Sequence, residues 1–175
     1  MTLAIALAAP RSGEPEPAIA GVRLFYGPSP QTAGTDLSIL AGARKSIDMA
    51  AFVLTDRDVL GALADAARRG VAIRIYLDRD EMDHAGNRGA DALSALAAVK
   101  TVAIRFKARH SESMHLKSYV VDRRLLRTGS ANFSYSGERY QDNDVVLVEN
   151  PALAAAFLQT FETMWTRPDN AGLTP

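Results

Sequence analysis

Two apolar runs, Ile47 to Leu54 (IDMAAFVL) and Val71 to Leu77 (VAIRIYL), stand on either side of one helical segment, Asp58 to Arg69. Asp56 is placed to cap that helix and Gly70 to end it. Two strands joined through a single helix pair in parallel, with a right-handed crossover. This unit restricts the chain to an α/β architecture. The first run carries few charges, which suits a strand in the sheet interior.

The other elements fall in place around it. Val22 to Tyr26 reads as a first strand, and Gly27 to Gly34, with Pro28 and Pro30, as a loop. Thr35 or Asp36 is expected to cap a helix running to about Lys45, with Leu37, Leu40 and Ala41 inward. Asp78 to Gly89 is charged and aperiodic, a loop at the carboxyl end of a strand, where open α/β sheets place functional loops. Ala90 to Lys100 reads as a helix and Val102 to Phe106 as a strand. Phe133 to Tyr140 reads as a loop or short helical turn, and Asp144 to Glu149 as a strand. Pro151 opens a last helix to Trp165, with Phe157, Leu158, Phe161 and Met164 or Trp165 inward.

At 175 residues, 47% apolar and 23% charged, the chain is expected to form one domain with a real core. Residues 1–20 are read as a flexible leader, residues 21–167 as the catalytic domain and residues 168–175 as a frayed tail. Thr2 to Ala9 is a short apolar stretch without an early Lys or Arg. It is equally a truncated export signal and a disordered leader, so it leaves a periplasmic, secreted or cytoplasmic location open. The chain has no cysteine, which excludes disulfides, thiolate metal sites and cysteine nucleophiles. Twenty basic residues balance twenty acidic ones. From Lys100 to Arg127, however, eight Lys or Arg face two acids, Glu112 and Asp122, an excess that suits a polyanionic substrate or a solvated face.

Within that region lies His115-Leu-Lys117-Ser-Tyr-Val-Val-Asp122, then Gly129-Ser130-Ala-Asn132. As a strand, Met114 to Asp122 puts His115, Lys117, Tyr119 and Val121 on one face and Met114, Leu116, Ser118 and Val120 on the other. An imidazole beside an ammonium suits attack on, or protonation of, a phosphoester whose oxygens a fixed cation neutralises. Leu125 to Thr128 is expected to return beside it and deliver Ser130 and Asn132 to the same end.

The spacing HxKxxxxD followed by GSxN resembles the signature of the phospholipase D superfamily. At average residue usage, coincidence of all these positions is on the order of one in a hundred thousand. From about Val22 to Arg167 the layout also resembles the small bacterial Nuc-type endonucleases. The resemblance implies a mixed α/β sandwich, with a central β-sheet flanked by helices on both faces. It further implies metal-independent phosphodiester hydrolysis through a phosphohistidine, with His115 as nucleophile or general acid. Lys117 and Asn132 are then the groups on the phosphate oxygens. Ser130 either binds the phosphate or shapes the turn after Gly129. Asp122, far along the strand, is read as a structural turn or salt-bridge residue. A carboxylate that orients the histidine is expected in Gln141-Asp142-Asn143-Asp144; Asp142 is the first choice, with Asp144 and Glu138 as alternatives.

Two imidazoles serve such a reaction, and this chain has one copy of the motif. His84 and His110 lie outside any HxK context and read as loop residues. The expected solution is a homodimer in which a second His115 faces the first. No cofactor is expected, and no metal: there is no HExxH, no Cys/His cluster and no compact helical run of carboxylates. The leading expectation is a non-specific nuclease on DNA or RNA, with Lys107, Arg109, Arg123 and Arg124 on backbone phosphates. Two alternatives stand beside it: a phospholipase D-type hydrolase of lipid head groups, and a non-catalytic module that binds nucleic acid or anions.

Overall fold

The computed structural model describes residues 21–173. The leader expected over residues 1–20 lies outside the described residues. In chain order the elements are β1 (Val22–Tyr26), α1 (Pro30–Gly42), β2 (Ser46–Ala51), α2 (Arg57–Arg68), β3 (Ala72–Leu77), α3 (Arg79–Ala85) and α4 (Ala90–Ala97). Then follow β4 (Val102–Phe106), β5 (Lys117–Val121), β6 (Leu125–Gly129), α5 (Tyr135–Arg139), β7 (Asp144–Glu149), α6 (Pro151–Trp165) and β8 (Ala171–Gly172). The strands form one sheet in the order β1-β7-β6-β5-β2-β3-β4-β8. The neighbours β2, β3 and β4 are parallel, and the other pairings are antiparallel. The result is the mixed, helix-flanked sheet that the sequence implied.

Both faces of the sheet are covered, which is why β2 reads as a nearly unbroken apolar run. On one face Ile47, Met49, Ile73, Ile75, Tyr119 and Val121 meet Leu40 of α1, Leu60 and Leu63 of α2, and Leu93 and Leu96 of α4. On the other, Ala50, Tyr76 and Met114 meet Phe161, Met164 and Trp165 of α6, while Val120 meets Ala154 and Leu158. Truncating a buried aromatic such as Phe161 to alanine costs about 3–5 kcal/mol in a core of this kind. No helix among the described residues is long and apolar enough to cross a membrane.

Several expected boundaries move. The first helix begins at Pro30, within the expected loop, with Ser29 at its N-cap position. Proline at the first helical position lacks only an N–H that would be unpaired anyway. Asp36 is therefore no cap: it is fully buried in mid-helix, and Ala41 faces solvent. Asp78 to Gly89 contains α3, whose first turn Asp78 caps by accepting from the Glu81 N–H at 3.0 Å, so His84 is helical. The segment after Pro168, expected to fray, adds β8 to the sheet edge, pairing Gly172 with Arg105 and Ala171 with Phe106. Asn170 holds it there: its side chain donates to the Met164 and Trp165 carbonyls and accepts from the Tyr76 hydroxyl.

Candidate active site

The register gathers the motif residues at one end of the sheet. Lys117 pairs with Ala51, at the carboxyl end of β2, and Gly129 pairs with Val145, near the start of β7. The carboxyl ends of β3 and β4 lie at the same end, since both run parallel to β2. β5 proper begins at Lys117, two residues after His115, yet the preceding segment is pinned on both sides. The Met114 N–H donates to Asp78 Oδ2 at 2.7 Å, and the Leu116 carbonyl accepts from the Phe52 N–H at 2.8 Å. The expected alternation holds: Met114 and Val120 face α6, and Tyr119 and Val121 face the other layer.

His115 is exposed, and its ring lies 4.5 Å from that of Phe52, centroid to centroid. Lys117 is buried; its Nζ donates to the His115 carbonyl at 2.7 Å and sits 4.4 Å from the centre of the same Phe52 ring. Burial pushes the Lys117 ammonium down to about 8, and the nearby Glu81 carboxylate pulls the other way. A charge held in a partly dry site acts more strongly on a neighbouring anion than it would in water.

A buried guanidinium ties this strand to the next motif segment. Arg127 Nη1 donates to the carbonyls of Lys117, at 2.7 Å, and Ala131, at 3.1 Å. Its other nitrogens bind the Asp36 carboxylate, which also accepts from the Tyr119 hydroxyl. Arg127 and Asp36 are both fully buried. Arg127 therefore does not belong to a surface basic patch, although it counted towards the local charge excess.

Asn132 follows directly and lines a cleft of about 810 Å³. Its Oδ1 is buried without a hydrogen-bond partner. Ser130 is engaged in the turn. Its N–H and hydroxyl both donate to Asp144 Oδ1, at 3.2 and 2.6 Å, and its oxygen accepts from the Asp144 N–H at 2.9 Å. Gly129 makes this approach possible: at φ +136°, a Cβ there would fall 2.3 Å from the Asp144 carbonyl oxygen.

The three candidate orienting carboxylates separate clearly. Asp144 is held by Ser130. Glu138 is buried beside Arg127 and Asp36, and burial, followed by the Asp36 charge, pushes its carboxyl up to about 9. Asp142 is exposed, and among the described residues neither it nor the other two hydrogen-bonds His115.

Of the expected phosphate contacts, Lys107 continues β4 at this end, its N–H donating to the Leu77 carbonyl. Arg109 is paired with Asp83 at 2.7 Å. Arg123 and Arg124 lie in the β5–β6 turn, at the far end of a five-residue strand, roughly 17 Å away. They are not in the site. Asp122 shares that turn and accepts from the Arg44, Lys45 and Ser46 N–H groups. Partial burial opposes its charge, but these donors hold it below the usual carboxylate range. Its reading as a structural turn residue agrees with this. Among the described residues, no group of three or more His, Asp or Glu side chains is placed to hold a metal ion.

Sequence reasoning missed Phe52 and Asp78. Phe52 lay unremarked within a predicted strand. Asp78 opened a predicted loop, and its capping position before Glu81 was the available signal.

The family model described as "Cardiolipin synthase, PLD-like domain" matches residues 37–165. The chain belongs to this phospholipase D-like family. A mitochondrial cardiolipin hydrolase of Danio rerio is 30% identical over 78% of this phospholipase D-like chain, and a phospholipase D of Rickettsia prowazekii is 30% identical over 68%. The chain spans 58% and 55% of the length of those two relatives. The solved structure of Nuc, a phospholipase D family member from Salmonella typhimurium, superposes with a TM-score of 0.77 at 27% identity, covering 88% of this chain and 98% of that one. NucT from Helicobacter pylori shares the phospholipase D-like fold, with a TM-score of 0.73 at 19% identity.

Proposed function

We propose that this chain hydrolyses phosphodiesters through a phosphohistidine at His115, and that it acts on nucleic acid as a homodimer. The observation that carries this is that the exposed His115 imidazole and the buried Lys117 ammonium both contact one aromatic ring, that of Phe52. The imidazole nitrogen attacks phosphorus; a P–N bond forms as a P–O bond breaks. The leaving oxygen takes a proton from the partner's His115. That imidazole, now neutral, accepts a proton from water, whose oxygen attacks phosphorus and breaks the P–N bond. Lys117 and the Asn132 amide stabilise the charge on the non-bridging oxygens. Asp142, the one candidate carboxylate not engaged elsewhere, takes the role of orienting His115 in the substrate-bound dimer, since it makes no hydrogen bond to His115 in the free chain. Residues 21–167 make up the catalytic domain.

Nucleic acid is favoured as substrate because Arg57, Arg88, Ser134, Ser136 and Gln141 line the cleft beside Asn132 and because Nuc is matched over nearly its whole length. A phospholipid substrate is the second reading. It is favoured by the two relatives named for lipid hydrolysis and by Leu116, 37% exposed next to His115.

Trapping the labelled enzyme adduct with DNA and with cardiolipin, followed by gel filtration with light scattering, tests the whole reading. An acid-labile adduct on His115 from DNA, lost in His115→Ala, supports it. An adduct from lipid alone, or activity in a strictly monomeric species, overturns it.

A further inference from the structure

Two tyrosines beside the cleft stand out in water. Tyr135 is 59% exposed and Tyr140 is 65% exposed, at either end of α5. Their rings meet edge-on at 5.6 Å, with the hydroxyls 3.4 Å apart. The Arg139 guanidinium lies 4.5 Å from the centre of the Tyr135 ring and is itself tied to Asp56 and Asp58 at the start of α2. The pair is thus buttressed on a fixed support, while much of its aromatic surface stays open.

Its position gives it a use. Tyr135 lines the same cleft as Asn132, three residues earlier in the chain. We propose that Tyr135 and Tyr140 form a stacking platform for an unpaired nucleobase in the cleft that Asn132 lines, so that the substrate is single-stranded nucleic acid. This rests on the nuclease reading above and deepens it.

Three observations select a base over other occupants. The cleft that Tyr135 and Asn132 line also carries Ser134, Ser136, Gln141 and Glu81, donors and acceptors suited to the edge of a base, beside the apolar Val53 and Ala85. Asp56 and Asp58, which would repel a second phosphate, are already bound by Arg139. An exposed tyrosine face supplies stacking that any base can use, and a base paired within a duplex has its faces covered by its neighbours.

The test compares wild type with the double variants Tyr135→Leu/Tyr140→Leu and Tyr135→Phe/Tyr140→Phe, all as the full chain. Each is assayed on a single-stranded DNA oligonucleotide, the same sequence as a duplex, and bis(p-nitrophenyl) phosphate, which has no base. The readout is the KM for the oligonucleotide divided by that for the small ester. Loss of base stacking is expected to raise this ratio about tenfold or more in the leucine variant for single strands, with the phenylalanine variant close to wild type. The single variant Tyr140→Leu, which leaves the Arg139–Tyr135 contact in place, is expected to show a partial rise. An unchanged ratio, or an equal rise with leucine and phenylalanine, overturns the platform while leaving the nuclease reading standing. Loss of binding to cardiolipin vesicles with an unchanged ratio assigns the tyrosines to a membrane surface instead and also overturns it. Wild type that cleaves the small ester but neither form of DNA overturns the nuclease reading itself.

Discussion

The His115 imidazole lies over Phe52 at 4.5 Å between ring centres, tilted by 59°. The same ring receives the Lys117 ammonium at 4.4 Å, so one side chain just past the carboxyl end of β2 contacts both groups. A desolvated cation–π contact is worth about 2 kcal/mol. Phe52→Leu keeps the bulk but removes the ring electrons, and is expected to lower kcat on a small phosphodiester about tenfold with little change in KM. Phe52→Tyr is expected to restore most of it. Steady-state kinetics of the two variants checks this.

Lys117 makes the site pH-dependent. Its ammonium titrates at about 8, so a rate that needs the charged form falls as pH rises through that value. Lys117→Arg is expected to move this alkaline limb upward, with a lower maximal rate because the guanidinium fills the pocket differently. Stability responds in the opposite sense. Between about 8 and the ordinary lysine value of 10.5, the unfolded chain holds a proton that the folded chain has lost, so stability rises with pH in that window. Lys117→Met is expected to flatten that rise and to be more stable than wild type at pH 7, while losing activity. Urea melts across pH, set beside pH–rate profiles, test both parts.

The elements that the sequence read well are those whose cause is local. The strand Val102 to Phe106 and the helix from Pro151 follow from apolar period and a capping Asn150–Pro151 pair within their own residues. The start of α1 was hidden because Pro28, Pro30 and Gly34 all signal a loop, and the buried partner of Asp36 lies 91 residues away in Arg127. The same distance explains the misread charge cluster: Arg127 is turned inward, and a hairpin reversal carries Arg123 and Arg124 to the far end of the sheet. The motif marks His115, Lys117 and Asn132 as candidates without any knowledge of the fold. Phe52 became visible only through the β2–β5 register.

Arg127 joins the core to the site, and its removal is expected to damage both. Arg127→Met leaves the Asp36 carboxylate buried without a cation and frees the Lys117 and Ala131 carbonyls. Breaking one partner of a buried pair costs about 3–5 kcal/mol. Denaturant unfolding is expected to show a loss of that size, with kcat reduced even where the variant remains folded.

Glu138, by contrast, is expected to tolerate loss of its charge. Its carboxyl is pushed up to about 9, so in the folded chain it is protonated at neutral pH, whereas the unfolded chain ionises it near 4.5. The folded state therefore holds more protons between these values, and stability falls as pH rises from 4.5 to 9. Glu138→Gln is expected to fold and to flatten that fall; an unchanged slope in urea melts would show that another group produces it.

Gly129 offers the sharpest separation of shape from chemistry in the motif. Any side chain there meets the Asp144 carbonyl oxygen at 2.3 Å, on a backbone at φ +136° that L residues rarely adopt. Gly129→Ala must therefore part β6 from β7 where Ser130 and Asp144 exchange their hydrogen bonds. A loss of more than about 2 kcal/mol is expected, from backbone strain and the broken turn together. Ser130→Ala removes only the hydroxyl and is expected to cost about 1 kcal/mol. If Ser130 serves the turn, the alanine variant retains most of its kcat and Gly129→Ala loses far more. If Ser130 binds the phosphate, the two lose activity alike despite their different stabilities, which parallel denaturation and kinetic measurements distinguish.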